Sequence, residues 1–140
     1  MADEEEIIWS YDNHPYLGVR LKTYAGREYP STNNEDQVMI DTGYSGEILL
    51  PIKIYIGLGF NDWEEPIVDD FELVDKTEIK LKVANGLILI PKLNNQPFPV
   101  RVHSASDEKQ DTEEIIIGVK FIKKFKLLLD GPADKVSILF

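Results

Sequence analysis

Hydrophobic positions along this chain come in short runs and alternations, not in long helical stripes. Residues 7–11, from Ile7 to Tyr11, predict a first strand, and His14-Pro15 reads as the turn after it. Leu17, Val19, Leu21 and Thr23 alternate with other residues through 16–24, the period of a strand with one buried face. A polar stretch over 25–36, with Gly26, Pro30 and Asn34, reads as a hairpin connection. Two apolar runs follow, Val38-Met39-Ile40 and Ile48-Leu49-Leu50, with a polar loop between them. Residues 51–57 leave two readings open. Pro51 suits the first turn of a helix, whereas the β-branched Ile52, Ile54 and Ile56 suit a strand.

Residues 61–70 are acidic, contain Trp63 and Pro66, and read as a loop. From Phe71 the alternation returns, through Ile79, Leu81, Val83, Leu87 and Leu89. It predicts three strands with turns at 74–77 and 84–86, and Asn85-Gly86 is the strongest short hairpin signal in the chain. Residues 93–97 read as another turn, 98–102 as a strand, and 103–112 as polar exposed surface. Ile115, Ile116 and Ile117 form a buried strand ended by Gly118. Val119, Ile122 and Phe125 then recur at the spacing of one helix face, with Lys120, Lys123 and Lys124 on the others. Residues 127–131 read as a strand and turn, and 136–140 as a last strand.

The pattern predicts an all-β fold, mainly antiparallel, with one or two short helices. With 140 residues, 43% of them hydrophobic, it predicts one domain over 7–140 behind an acidic flexible tail at 1–6. No apolar run is long enough to span a membrane. The acidic start lacks the basic region of a secretory leader. Cysteine is absent, which removes disulfides, thiolate chemistry and cysteine zinc sites. Together these features predict a cytoplasmic protein. The net charge of -10, with only a short basic run at 120–126, argues against nucleic-acid binding. His14 and His103 are the only histidines; each sits in a polar stretch and reads as a surface residue, so no metal site and no cofactor are expected. Trp9 and Trp63 read as core or interface, and the acidic clusters at 3–6 and 69–75 as solvated faces.

The chemistry concentrates between the two apolar runs. Asp41 stands at the end of a predicted buried strand, followed by Thr42, Gly43, Tyr44, Ser45 and Gly46. A carboxylate there is costly unless hydrogen bonds satisfy it. The glycines let the backbone turn tightly, and the hydroxyls offer donors. Asp-Thr-Gly is also an ordinary turn composition, but a surface turn needs no apolar strand running into it.

Asp41-Thr42-Gly43-Tyr44-Ser45, with the following Gly46 to Pro51, resembles the active-site loop of retropepsin-like (clan AA) aspartic proteases, above all their small single-domain bacterial and archaeal members. Ile116-Ile117-Gly118 resembles the element that packs behind that loop in the family. The likeness runs from about residue 17 to the C-terminus and is weak between the two motifs. It implies an acid-protease barrel, half of a pepsin-type fold, working as a homodimer on a peptide or protein substrate. Asp41 would be the catalytic acid. Thr42 would brace the partner loop, Gly43 would allow close approach, and Ser45 would hydrogen-bond the carboxylate. Two carboxylates about 3 Å apart share one proton, so one activates water while the other protonates the substrate carbonyl. The family covers its cleft with a hairpin flap, placed here at Val74, Asp75, Lys76 and Thr77, where Lys76 replaces a usual glycine; Ala84-Asn85-Gly86 is the rival tip. A catalytically inactive homodimer that binds peptides or proteins, and a small β domain with a chance Asp-Thr-Gly turn, are the alternatives.

Overall fold

A computed structural model of the chain describes residues 6–32, 34–72 and 76–139. The first strand, β1 (Glu6–Asp12), turns at Asn13 into β2 (His14–Lys22). Asn13 takes a left-handed φ of 47°, a conformation that asparagine tolerates better than most residues. The reversal therefore precedes His14, and the expected turn at His14-Pro15 is the start of β2. A short β3 (Glu28–Tyr29) lies beside β2, and β4 (Asp36–Ile40) leads into the Asp41 loop. β5 (Ile48–Leu50) leaves that loop and runs into α1 (Ile52–Gly57), so the reading left open at 51–57 resolves as helix. Pro51 is its cap, where a missing N–H costs nothing.

The acidic stretch holds one 3-10 turn (Phe60–Asp62) and then β6 (Val68–Glu72). The long strands β7 (Glu78–Ile90) and β8 (Asn94–Ala105) follow. The Asn85-Gly86 hairpin does not form; both residues lie mid-strand in β7, opposite Arg101 and Val100. Gly86 is there for space. A Cβ on it would lie 2.8 Å from Val102 Cγ2 and 2.9 Å from Phe60 Cε1. Tertiary packing has overridden a local turn signal, and the rival flap tip goes with it. The β7–β8 turn sits at 91–93, so Asn94 to Pro97 belong to β8.

The chain closes with β9 (Ile116–Ile117), α2 (Val119–Ile122), β10 (Lys126–Asp130) and β11 (Lys135–Leu139). Of the helix residues, Phe121 is the one fully buried, edge-on to Phe98 and Phe125, while Val119 and Ile122 are half-buried.

The described strands share one sheet in the order β10-β11-β1-β2-β4-β9-β5-β8-β7-β6, with β3 off the path. Most pairs are antiparallel; β4–β9 and β5–β8 are parallel. The sheet folds back where β2 also pairs β7 through Arg20, Leu21 and Lys22. It does not close into the expected barrel. β6 and β10 are open edges among the described residues. Beyond β2, which meets β1 only through Tyr11↔Pro15 and Asp12↔His14, the sheet runs on through β1 and β11 to β10, and Trp9, Val136 and Ile138 of these strands pack into the common core. The core lies inside the fold and includes Trp9, Leu21, Ile48, Leu50, Tyr55, Ile88, Ile117, Phe121 and Ile138. Trp63, by contrast, is 71% exposed.

Gly86→Ala is expected to lower stability by about 1–3 kcal/mol through overpacking. Urea denaturation would show it as a lower midpoint with an unchanged slope.

Candidate functional site

The Asp41 loop is held from behind by backbone bonds. β9 lies between β4 and β5, pairing Met39 and Ile40 in parallel and Ile48 and Leu49 in antiparallel register. The Asp41 amide donates to the Ile117 carbonyl at 2.9 Å. Gly118 then crosses directly under the loop. Its amide donates to Glu47 O at 3.0 Å, Val119 N donates to Tyr44 O at 2.9 Å, and Lys120 N donates to Gly46 O at 3.1 Å. The first N–H groups of a helix have no partner within it; here the loop carbonyls take two of them. A Cβ on Gly118 would overlap the Gly46 and Tyr44 carbonyl oxygens. Ile116, Ile117 and Gly118 thus lie against the loop.

Asp41 is half-buried, and its Oδ1 accepts from the Gly43 amide at 2.8 Å, a local Asx turn. Thr42, Gly43 and Ser45 are exposed. Ser45 makes no hydrogen bond to the carboxylate among the described residues. Asp41, Gly43 and Ser45 edge a hollow of about 200 Å³ whose other walls include Leu49, Phe71, Ile79 and Leu81. Asp41 is the one acid in that lining. A wider hollow of about 610 Å³, beside Tyr29, Lys53 and Leu58, does not include it.

Phe71 and Ile79 face each other across the β6–β7 hairpin, one pair from its turn, so the turn end of that hairpin roofs the Asp41 hollow. Val74 and Asp75 lie outside the described residues. Lys76 and Thr77 are exposed, and Lys76 has φ 67°. That is the left-handed conformation a glycine adopts without cost.

Behind Tyr44 lies a polar chain that composition did not reveal. The Tyr44 hydroxyl is 2.8 Å from His103 Nδ1 and 3.3 Å from the Ile48 carbonyl. His103 Nε2 is 2.8 Å from Asp69 Oδ2. Arg101 makes two bonds to Glu65, at 2.8 and 3.1 Å, and reaches Asp69 at 3.6 Å. The Arg101 amide donates to Glu47 Oε1 at 3.1 Å. His103 is therefore no surface residue; it is 3% exposed, against Tyr44 and Phe71. Asp69 likewise is engaged, not merely solvated. His14 is exposed. Alternation puts His103 on the face of β8 opposite Val102, with Arg101 and Ala105, and nothing in the sequence marks that face as buried.

Burial lowers the pKa of His103, and the Asp69 carboxylate only partly opposes it. Asp69 is lowered, first by the hydrogen bond it accepts from His103, which a neutral ring supplies as well. Burial raises Tyr44, helped by the nearby charges of Glu47 and Asp69. The hydrogen bond from Arg101 lowers Glu65.

No family profile matches the chain, and no curated protein matches it in sequence. A solved structure does match: the retropepsin-like aspartic protease from Rickettsia conorii, with a TM-score of 0.63 over 99% of this chain and 92% of that one. The two sequences are 20% identical. The chain has the retropepsin-like fold. Among the described residues no group of side chains has the make-up of a metal site, and no helix is long and apolar enough to cross a membrane.

Gly118→Ala is expected to cost about 3 kcal/mol, because backbone carbonyls cannot yield as a side chain can; calorimetry checks it. A second expectation concerns pH. The folded pKa of His103 lies below its ordinary 6.5, so the unfolded chain binds more protons. Its contribution to stability is full above 6.5 and falls as pH drops towards the lower, folded value. Denaturation midpoints measured from about pH 8 to 5 should fall less steeply for His103→Phe than for the parent.

Proposed function

We infer that the chain is an aspartic endopeptidase whose working form is a symmetric pair. The observation that carries this reading is the Asp41 hollow. A carboxylate fixed by a loop amide stands at the edge of an apolar recess roofed by a hairpin, in a retropepsin-like fold. Amide hydrolysis needs one group to activate water and another to deliver a proton. The recess offers a single carboxylate, so a second copy of Asp41, brought up across a two-fold axis, supplies the other. Thr42 is exposed and its hydroxyl has no bond within the described chain, which leaves it to brace the partner loop. Gly43 leaves room for a substrate backbone. Leu49, Phe71, Ile79 and Leu81 offer apolar contact to an extended peptide, and the hairpin around Lys76 closes over it.

In the reaction, the ionised Asp41 takes a proton from water as the oxygen attacks the peptide carbonyl. The protonated Asp41 donates to the carbonyl oxygen, giving a neutral tetrahedral diol. The proton held by the first carboxylate then passes to the amide nitrogen, the C–N bond breaks, and the second carboxylate recovers its proton. The pair ends as it began.

Cleavage of a mixed peptide library from acid to neutral pH tests the proposal, with Asp41→Asn alongside. The parent should cleave, and the variant should lose about 10³-fold or more in kcat/KM. Equal background from both would count decisively against an enzyme and favour a binding homodimer. Sedimentation of the same samples should show the active species as a dimer.

A further inference from the structure

The polar chain behind the loop lies outside the hydrolytic steps, yet it joins two separate parts of the site, the Asp41 loop and the β6–β7 hairpin. His103 sits on β8 between them. Its Nδ1 side meets Tyr44, two residues before the end of the Asp41-to-Gly46 loop. Its Nε2 side meets Asp69, on the first strand of the roofing hairpin. The ring is sandwiched further by Phe71 of the same hairpin, edge-on with centroids 5.0 Å apart, and Phe71 in turn lies 5.6 Å from the Tyr44 ring. The charged groups facing this knot are Asp69 from β6, Arg101 from the same strand as His103, and Glu47 from the end of the loop. Lys120 borders the small polar hollow beside it.

The partners dictate where the proton lies. A carboxylate can only accept, so Nε2 must carry the hydrogen that Asp69 receives. In a neutral ring Nδ1 is then bare and accepts from the Tyr44 hydroxyl. The one alternative acceptor for that hydroxyl, the Ile48 carbonyl, is farther away at 3.3 Å. A doubly protonated ring would push the hydroxyl onto Ile48 and change how Tyr44 is held.

We propose that His103 is a positioning residue: as the neutral Nε2–H tautomer it ties the Asp41 loop, through Tyr44, to the β6–β7 hairpin, through Asp69, so that loop and roof move as one unit. This extends the reading of Asp41 as the catalytic acid, but the bonds that carry it do not depend on that reading. Side-chain length offers a way to cut one arm at a time. Asparagine places a polar atom near Nδ1 and cannot reach Asp69. Glutamine reaches towards Asp69 and vacates the Nδ1 position. Tyr44→Phe keeps both ring contacts and deletes only the hydroxyl.

The test uses the full chain labelled with ¹⁵N. Long-range proton–nitrogen correlation near neutral pH should show His103 with Nε2 protonated and Nδ1 bare; an Nδ1–H tautomer overturns the proposal. Amide exchange is then compared between parent and Tyr44→Phe. Exchange at the turn end of the hairpin, around Phe71 and Ile79, should quicken about fivefold although no hairpin residue has changed. Unaltered hairpin exchange overturns the coupling. His103→Asn and His103→Gln should each loosen the hairpin as Tyr44→Phe does, and a full rescue by either overturns the requirement for both arms. On a cleaved peptide, Tyr44→Phe should lower kcat about fivefold with KM within about twofold. A chain that cleaves nothing overturns the reading of Asp41 and leaves tautomer and exchange to decide on His103.

Discussion

The close crossing of Gly118 beneath the Asp41 loop is the constraint on which the site depends. Two stretches more than seventy residues apart meet there without a side chain between them. Backbone amides of Gly118, Val119 and Lys120 meet the carbonyls of Glu47, Tyr44 and Gly46. The contact satisfies groups on both sides that would otherwise be buried and unpaired. It also fixes Asp41 from its own amide, through the Ile117 carbonyl, so the carboxylate is aimed by the sheet and not by the loop alone. The same placement explains why β9 needs only two residues. It is a wedge between β4 and β5, completely paired along both edges.

Around this backbone frame the electrostatics are arranged by burial. Burial raises the pKa of Tyr44 and lowers that of His103, which favours the neutral form of each, and the charges that remain are offset by one another. Arg101 bridges Glu65 and Asp69, and Glu47 receives the Arg101 amide while Lys124 stands 3.8 Å from its other oxygen. A buried polar group is tolerable only when its partners are complete. That condition holds along this chain of side chains. It leaves the Asp41 carboxylate as the acid offered to the apolar recess.

Much of the architecture was legible because it was local. The apolar runs at 38–40 and 48–50 and the Ile115–Gly118 stop carried their structure in neighbouring residues, whereas at 51–57 the local signals conflicted. Three features were not local, and they misled. Asn85-Gly86 has the composition of a hairpin, but the glycine answers to Phe60 and Val102, and a long strand paired along its length outweighs a favourable turn. His103 looked like surface because its partners, Tyr44 and Asp69, lie 59 and 34 residues away. Barrel closure was an expectation of the family likeness. The sheet instead runs on past β2 through β1 and β11 to an edge at β10 among the described residues. The loop at 41–46 and the segment at 116–118 were singled out by the family likeness, and backbone hydrogen bonds bring the two together. The polar chain behind Tyr44 could not be found that way, since no motif links residues 44, 69, 101 and 103.

The edge strand β10 has Leu127, Leu128 and Leu129 between Lys126 and Asp130, and Leu128 and Leu129 are nearly half exposed. A strand of this kind presents unpaired backbone groups and greasy side chains together, a template on which other extended chains can add. Flanking charges and a molecular charge of -10 are what oppose it. The colloidal behaviour of the protein is therefore tied to ionic strength: added salt screens the repulsion between molecules and leaves the sticky edge unguarded.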